Sequence, residues 1–245
     1  MNSRNPKISV VIPALNEERY LPACLHAFKQ QTFKDFEIIV VDNNSTDKTA
    51  EIARSFGARV LNENKIGTVF AREKGFEEAR AEIIARTDAD TIVSSNWLEI
   101  IYTSFQKDPQ LVGISGIFIL PNRSILSWLI YIYLVLIFDM SAKLFLGHIQ
   151  LLGSNMAVRK SAWKKIRKQT HTNEKFVHED LDLSCHLSAI GKLTFTSSLS
   201  TTFSPRRLKE NILSGVMRYV VEYPFRYFYT IFLHHPYFRR HQLPF

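Results

Sequence analysis

The chain has 245 residues, of which 46% are hydrophobic and 22% are charged, so it is long and apolar enough to bury a full core. The formal net charge of +8 favours an anionic partner, which leaves nucleotide phosphates, anionic lipid headgroups and nucleic acid open. Two cysteines without C-x-x-C spacing, Cys24 and Cys185, argue against a disulfide framework or a zinc cluster and indicate a reducing compartment.

The first part of the chain alternates between two kinds of apolar pattern. Short runs rich in Val and Ile predict strands over 8–14, 36–43, 58–64 and 81–88. Helical spacing predicts helices between them, over 17–31, 46–56 and 68–80. The first run is too short for a secretory signal, so we expect a cytoplasmic protein. The alternation predicts an α/β fold with a parallel, doubly wound sheet.

Polar residues follow three of these strands. They occupy 13–17, 42–47 and 88–90, and ligands of such sheets bind beyond the carboxyl ends of the strands. The glycine-rich fingerprints of dinucleotide folds and P-loops are absent from the sequence, so carboxylates and amides would have to hold a nucleotide.

Two acidic clusters are candidates for chemistry. In the extended segment "DAD", Asp88 and Asp90 point to the same side, and paired carboxylates of this kind suit Mg²⁺ or Mn²⁺. The stretch "HEDLDLSCHLSAIGK" predicts a helix with Glu179 and Asp180 in its first turn. Each cluster alone also fits a structural role, as an acidic turn or as helix capping. A general base in this cluster would need mutual repulsion among Glu179, Asp180 and Asp182, because the helix N-terminus favours the charged carboxylate and so lowers its pKa.

Two further segments bear on membranes. The run at 125–138 has one polar residue, Ser127, and fourteen residues are too few to span a bilayer, which takes about 20. It fits either a buried core helix or a segment in the membrane interface with Trp128, Tyr131 and Tyr133 at headgroup depth. Residues 206–245 hold seven Lys or Arg and two Glu, a net charge of 7 − 2 = +5, among many aromatic residues. This tail suits an anionic membrane surface, or an amphipathic helix that packs on the domain.

Five motifs, read in order, resemble the family-2 glycosyltransferases of GT-A fold over roughly residues 7–205. They are "VVIPALNEERYL", "IIVVDNNSTDKTAEIA", "IGTVFAREKGFEEARAEIIARTDADT", "LLGSNMAVRKSAW" and "HEDLDLSCHLSAIGK". The Q-x-x-R-W motif of the processive members is missing, and "SPRRLKENILSG" stands in its place. A polymer-extruding synthase is therefore disfavoured.

The resemblance implies a role for each matching residue. Asp180 would be the general base with Glu179 beside it, and Asp90 would bind the metal together with Asp88. Asp42 would accept a hydrogen bond from the base of the nucleotide. Gly153, Ser154 and Asn155 would form a strand that faces the sugar and the acceptor, and Arg206 or Arg207 would close over the diphosphate. The remaining donor-site residues would be Pro13, Ala14, Asn16, Glu17, Gly67, Arg72 and Ala89.

The resemblance also implies the domain layout. A GT-A domain would cover 1–205, with a nucleotide-binding half at 1–94 and an acceptor-binding half at 95–205 that carries an apolar insertion at 124–147. A basic, aromatic helical tail would follow at 206–245.

The expected function is therefore inverting, metal-dependent transfer of a sugar from a nucleotide-sugar, with a UDP-sugar favoured, to a hydroxyl of a lipid-linked or membrane-proximal glycan. We expect Mn²⁺ or Mg²⁺ as the metal, an anionic membrane surface as a partner and a peripheral position on the inner face of the cell membrane. Three alternatives remain: an inactive membrane-docked scaffold that binds nucleotide-sugars, a sugar nucleotidyltransferase, and a nucleic-acid binder. The last leaves the acidic clusters unexplained, so we expect no nucleic-acid partner.

Overall fold

The structure is a computed structural model that describes residues 5–119, 132–133, 135–202, 217 and 221–235. Its first part alternates strands and helices as the sequence predicts. The elements are β1 (Ile8–Ala14), α1 (Leu21–Lys29), β2 (Phe36–Asp42), α2 (Thr49–Ser55), β3 (Arg59–Asn62), α3 (Thr68–Glu78) and β4 (Ile83–Arg86). Gly57 follows the last residues of α2 in the left-handed conformation (φ 81°), the C′ position at which helices commonly end in glycine.

The second part adds strands that return to the same sheet. It contains β5 (Ile92–Val93), α4 (Trp97–Lys107), β6 (Leu111–Ile119), a π-helical turn (Val135–Met140), α5 (Ser141–Leu146), β7 (Met156–Arg159), α6 (Lys160–Ile166), α7 (Glu179–Ser188), β8 (Lys192–Thr202) and α8 (Tyr223–His234).

One eight-stranded sheet runs through the described chain in the order β3-β2-β1-β4-β7-β6-β8-β5. The strands β3, β2, β1 and β4 are parallel to one another, and so are β6 and β8. The strand β7 pairs antiparallel with both β4 and β6, and β5 pairs antiparallel with β8. The expected α/β class with a mostly parallel sheet is thus confirmed. The proposed boundary at residue 94 lies just after β5, and both halves share this sheet.

The register of the strands places the polar residues that follow β1, β2 and β4 at one edge of the sheet. Ala14 at the end of β1 pairs with Asp42 at the end of β2, so the polar residues after both strands leave the sheet side by side. The strand β4 ends earlier, at Arg86 opposite Val11, and the Thr87 N–H then donates to the Val11 carbonyl at 3.3 Å. Residues 88–90 therefore turn away beside the end of β1.

The core lies on both faces of the sheet because side chains alternate along each strand. On one face Val10 and Ile12 pack with α1 and α4, and on the other Val11 packs with α3, α6 and α7. The helix α3 comes very close to the sheet, since a Cβ at Gly75 would lie 2.3 Å from Val11 Cγ1. Glycine is required there by close approach, not by backbone conformation.

A fully buried amide, Asn155, fastens the sheet where β6 and β8 change register. Its Nδ2 donates to the carbonyls of Ile117 (2.8 Å) and Leu199 (2.9 Å), and its Oδ1 accepts from Trp97 Nε1 (2.7 Å). The pairing of β6 with β8 shifts between Gly116 and Ile117, so two strand carbonyls lack ladder partners there and the amide supplies them.

The C-terminal part packs on α7. Tyr227 and Ile231 of α8 share a small buried cluster with Leu181 and Cys185 of α7, and Phe138 packs against it. The expectation of a helical tail is confirmed for Tyr223–His234. Two interpretations were left open for the apolar run at 125–138, and most of it, residues 125–131 and 134, lies outside the described residues, as do Arg206 and Arg207. Among the residues that the structure describes, no helix combines the length and apolarity needed to cross a bilayer.

The Asn155 hydrogen bonds predict a large effect on stability. Asn155→Leu leaves an indole N–H and two carbonyls buried without partners, and each such group costs about 1–3 kcal/mol. We expect the unfolding free energy from urea denaturation to fall by about 3–5 kcal/mol. The exposed amide Asn64 provides a control, for which substitution by Ala changes stability by no more than about 0.5 kcal/mol. Equal stability of the two variants would contradict a structural role for Asn155.

Candidate active site

A cleft of about 690 Å³ opens at the carboxyl ends of β1 and β4. The segments that line it include the loop after β1, the start of α3, the turn after β4, the loop before β7 and the first turn of α7. Most of the sequence-predicted site residues line this one cleft, namely Pro13, Ala14, Glu17, Gly67, Asp88, Ala89, Asp90, Gly153, Ser154, Glu179 and Asp180.

The two acidic clusters are joined by Arg86, the last residue of β4. Its Nη1 lies 2.8 Å from Asp180 Oδ1 and its Nη2 lies 3.0 Å from Glu179 Oε1. The same Nη2 lies 3.7 Å from Asp88 Oδ1. Only 3% of the Arg86 side chain is exposed. Burial disfavours its charge, but Glu179, Asp180 and Asp88 outweigh burial and raise the pKa of the guanidinium above its usual range.

The carboxylate of Asp180 is held from two sides. Oδ1 accepts from Arg86, and Oδ2 accepts from the backbone N–H of Gly153 at 2.9 Å. A side chain at position 153 would strike Asp180 Oδ2 and the Arg86 guanidinium, so glycine is required by space. Each carboxylate oxygen keeps a second lone pair, which a hydroxyl in the cleft can use.

The expected mutual repulsion of Glu179, Asp180 and Asp182 on α7 is not what the structure shows, because the three carboxylates have separate partners. Glu179 and Asp180 face the two arginines, Arg72 and Arg86, and Asp182 points into a group of histidines on another side of the helix. A first turn spreads successive residues around the helix axis, so the three carboxylates do not share one site.

Arg72 is placed differently from the prediction. Its side chain is 1% exposed and does not line the cleft. Nη1 contacts Glu179 Oε2 at 3.1 Å and Nη2 contacts Glu73 Oε1 at 3.0 Å. The reason is packing: Arg72 lies on the buried face of α3, where it needs carboxylates to balance its charge. In this position Arg72 holds Glu179 in place.

The Asp88-Ala89-Asp90 turn presents the carboxylates that fit a divalent cation. Asp88 is 43% exposed, and both aspartates line the cleft near Glu17, which is buried. Burial and, after it, the negative charges of Asp88, Asp90 and Glu17 raise the pKa of the nearby Cys24 thiol. This negative potential and the oxygen-only donor set fit Mg²⁺ or Mn²⁺, which take carboxylates, waters and phosphates as ligands.

Two residues predicted for the nucleotide-sugar site, Asn16 and Asp42, do not line the cleft, and instead form hydrogen bonds within the loops after β1 and β2. Asn16 (φ 55°) accepts at Oδ1 from the Thr46 N–H at 2.8 Å, which ties the loop after β1 to the loop after β2. Asp42 accepts at Oδ1 from the Ser45 N–H at 3.1 Å. The next residue, Asn43, lines the cleft instead, and its Oδ1 accepts from the Gly67 N–H at 2.8 Å.

The expected strand at 153–155 needs a correction. The strand β7 begins at Met156, and the three residues form the approach to it. Gly153 and Ser154 line the cleft, whereas Asn155 is fully buried in the sheet contacts described above.

Sequence reasoning missed several cleft residues. Arg86 was visible as a charged residue inside an apolar run, and His178 stands directly before Glu179 in the sequence. Burial lowers the pKa of the His178 imidazole even though Asp180 and Glu179 are near, so the ring is neutral at neutral pH. Three other cleft residues gave no local signal, since Glu174 lies in a loop and Tyr223 and Arg226 lie on α8.

The side chain of Glu174 lies at the start of α3. Its carboxylate accepts a short hydrogen bond from the Val69 N–H, and burial raises the pKa of this carboxyl. The start of a helix favours negative charge, which offsets part of the cost of burying this carboxylate.

Comparison with known proteins assigns the family. Residues 9–167, which are 159 of the 245 residues, match the family described as Glycosyl transferase family 2. The chain belongs to this family. The expected family membership and the GT-A fold are therefore confirmed.

Relatives and solved structures agree with this assignment. Glycosyltransferase GlyG of Streptococcus pneumoniae is 40% identical over 112 residues, which are 43% of this chain and 37% of that protein. Glycosyltransferase AglE of Haloferax volcanii is 35% identical over 131 residues, or 50% of this chain and 43% of that protein. The chain thus spans less than half the length of these relatives.

Among solved structures, the Pyrobaculum calidifontis mannosyltransferase PcManGT in complex with GDP-Man and Mn²⁺ has a TM-score of 0.65 at 16% identity, covering 94% of this chain and 70% of that one. Staphylococcus aureus TarS 1-349 has a TM-score of 0.61 at 17% identity, covering 87% of this chain and 64% of that one. At these identities the likeness establishes the fold alone.

The bridging role of Arg86 predicts a strong dependence of stability on its charge. Arg86→Met removes the buried counter-charge of Asp180 and leaves Glu179 with Arg72 alone, and we expect urea denaturation to report a loss of about 3–5 kcal/mol. Lys192→Met is the matched control, because Lys192 pairs with Asp108 at the same 2.8 Å distance but is 58% exposed. An exposed pair of this kind contributes about 0–1 kcal/mol. Similar losses in the two variants would contradict the bridge.

Proposed function

We propose that the cleft transfers a sugar from a nucleotide-sugar donor to an acceptor hydroxyl with inversion at the anomeric carbon. The observation that carries the proposal is the Arg86 bridge, which brings the carboxylates of Asp88 and Asp180 to the wall of one cleft. Displacement at an anomeric carbon needs two such groups with different tasks, one beside the leaving group and one beside the nucleophile.

The donor half of the cleft is the edge formed by β1, β2 and α3. Glu17, Asn43 and Gly67 line it, and they offer a carboxylate, an amide and a backbone to a nucleotide. We assign the position of the diphosphate to the side of Asp88 and Asp90, which would hold Mn²⁺ or Mg²⁺. When bound there, the ion supplies Lewis-acid stabilisation of the charge that develops on the departing diphosphate.

Arg226 of α8 is the cation that we assign to the leaving group in place of Arg72. It lines the cleft and lies beside the Tyr223 ring, with its Nη2 3.6 Å from Glu222 Oε2. Only 28% of its side chain is exposed, so its charge is screened less than that of a fully solvated arginine. Fixed positive charge at this position stabilises the diphosphate as it leaves.

Asp180 is the proposed base. One of its free lone pairs takes the proton of the acceptor hydroxyl while the acceptor oxygen bonds to the anomeric carbon and the bond from that carbon to the diphosphate breaks. Arg86 and the Gly153 N–H fix the direction of the carboxylate, and Arg72 fixes Glu179 beside it. The neutral His178 ring borders the same wall without adding a charge.

The surface of α5 and α8 supports a lipid-linked or membrane-proximal acceptor. The helices α5 and α8 pack together and carry large apolar side chains at the surface: Leu144, Phe145, Phe225, Phe228, Tyr229 and Phe232. Leu144 is 77% exposed and stands next to the exposed cation Lys143. Apolar and aromatic groups beside basic residues suit an anionic bilayer surface, so we propose peripheral membrane binding through this α5–α8 face.

The proposed chemistry predicts separate effects for the two aspartates. The full chain, incubated with Mn²⁺ and a panel of UDP-, GDP- and dTDP-sugars, is expected to release nucleoside diphosphate from at least one donor. Asp180→Asn should lower the rate by about 10²–10⁴-fold with little change in donor KM, since it removes the proton acceptor. Asp90→Asn should lower the rate as well, and in addition it should raise the donor KM and reduce the dependence of the rate on Mn²⁺ concentration.

The matched control for both is Asp108→Asn, which changes an aspartate paired with Lys192 at the surface. It should react like the wild type. A wild-type protein that binds a nucleotide-sugar but turns over none would support the inactive scaffold and contradict the proposal.

The proposed membrane contact has its own test. The wild-type protein is expected to float with vesicles that contain phosphatidylglycerol, and the triple variant Leu144→Ser, Phe225→Ser, Phe232→Ser should bind at least tenfold less, because each substitution removes apolar area worth about 1.5–3 kcal/mol when buried. Ile190→Ser is the control, since Ile190 is 43% exposed beyond the end of α7. Equal binding by wild type and triple variant would refute this face as the contact.

A further inference from the structure

A second cluster of chemically active side chains lies outside the cleft. It consists of His171 from the loop before α7, Asp182 and His186 from α7, and His234 from α8. One potential ligand atom from each of the four lies within 4.8 Å of all the others. None of these residues lines the cleft, so the proposed glycosyl transfer does not use them.

The geometry is three imidazole rings around one carboxylate oxygen. Asp182 Oδ1 lies 2.7 Å from His171 Nδ1, 2.8 Å from His234 Nε2 and 3.6 Å from His186 Nε2. Asp182 and His186 are four residues apart on α7, which places them on one helical face. The other two ligand atoms come from elements distant in sequence.

Hydrogen bonds within the cluster do not give every buried nitrogen a partner. The His171 and His234 rings satisfy Asp182 Oδ1, but His186 Nε2 is buried and has no hydrogen-bond partner among the described residues. The His186 side chain is 9% exposed, and its Nε2 is aimed at the same oxygen. An unpaired buried nitrogen is unfavourable unless something in the group takes its lone pair.

We propose that His171, Asp182, His186 and His234 bind one Zn²⁺ ion. Three imidazole nitrogens and one carboxylate oxygen are a complete tetrahedral ligand set for zinc. Ligand atoms about 2.0–2.2 Å from a tetrahedral ion lie roughly 3.3–3.6 Å apart, so the side chains need shifts of about 1 Å or less to enclose it. The His186 lone pair then has a partner.

The chemistry of the site separates this ion from the cation of the cleft. Imidazole-rich sites favour zinc and other late transition metals, whereas Mg²⁺ and Mn²⁺ prefer oxygen ligands such as Asp88 and Asp90. His171 is 46% exposed, which leaves a path from solvent.

The position of the ion makes it structural. It would join α8 and the loop before α7 to α7 itself, and a closed four-ligand site has no open position for a substrate. The helix α7 begins with Glu179 and Asp180, and α8 carries Tyr223 and Arg226 at the cleft. Zinc would thus fix the C-terminal helix beside the acidic residues of the cleft, whatever reaction the cleft performs.

The test uses the full chain without a histidine tag, stripped by a chelator and dialysed. Isothermal titration with ZnCl₂ is expected to give about one ion per chain, and zinc should raise the Tm by at least about 4 °C. Cobalt(II) in place of zinc should give the intense visible absorption of a four-coordinate site. No binding of Zn²⁺ and no change in Tm would overturn the proposal and leave a metal-free hydrogen-bonded cluster.

Variants locate the ion. His186→Ala and His234→Ala should each weaken zinc binding at least about 100-fold, because loss of a direct ligand exceeds the roughly 10–100-fold cost of losing an outer partner. His235→Ala, one residue beyond His234, is the matched control and should bind zinc like the wild type. Asp90→Asn should do the same.

Loss of zinc binding in Asp90→Asn with retention in His186→Ala would move the ion to the cleft and overturn the proposal. The cobalt spectrum of the wild type does not depend on any variant and remains decisive if a histidine variant fails to fold. A spectrum of weak, six-coordinate cobalt would also refute the four-ligand site.

Discussion

The site depends on the burial of one guanidinium. Arg86 is almost fully enclosed at the end of β4, and a buried charge of this kind is tolerated only when carboxylates balance it. The balancing residues, Glu179 and Asp180, are 93 and 94 residues away in sequence and stand at the start of α7. This requirement fixes α7 against the sheet edge, and with it the position of the proposed base relative to the Asp88-Ala89-Asp90 turn. A second buried arginine, Arg72, repeats the arrangement from α3 and immobilises Glu179.

The helix α7 divides its acidic residues between two tasks. Glu179 and Asp180 face the arginines and the cleft, whereas Asp182, two positions on, lies among His171, His186 and His234. The two groups are neighbours in sequence, but they point in different directions because successive residues of a helix are rotated around its axis. The first group supports the proposed proton transfer, and the second supports the proposed zinc ion that holds α8. The contact between Asp182 and His234 brings the C-terminal helix α8 to α7, close to the acidic wall of the cleft.

The sequence predicted the parts of the fold that depend on local pattern. The bounds of β1 agree with the predicted 8–14, and the first turn of α7 begins at the predicted Glu179, because apolar periodicity and turn residues are short-range signals. Helix ends were less well predicted, as α1 begins at Leu21 and not at Glu17. Residues 17–20 instead form a turn in which the Glu17 carbonyl accepts from the N–H groups of Tyr20 and Leu21.

The sequence by itself therefore determined the α/β class, the family resemblance and the acidic residues at the strand ends. Tertiary structure decided which of the charged and polar residues face the cleft. Arg72 looked available to a ligand but is buried against Glu179, and Asn155 is buried at the change of register between β6 and β8. Two cysteines exclude a cysteine-based zinc cluster but not a site built from histidines, and only folding brings His234 to Asp182 across 52 residues. The physical reason is common to all three: compensation of a buried charge or a buried hydrogen-bonding group is a property of spatial neighbours, which local sequence pattern does not specify.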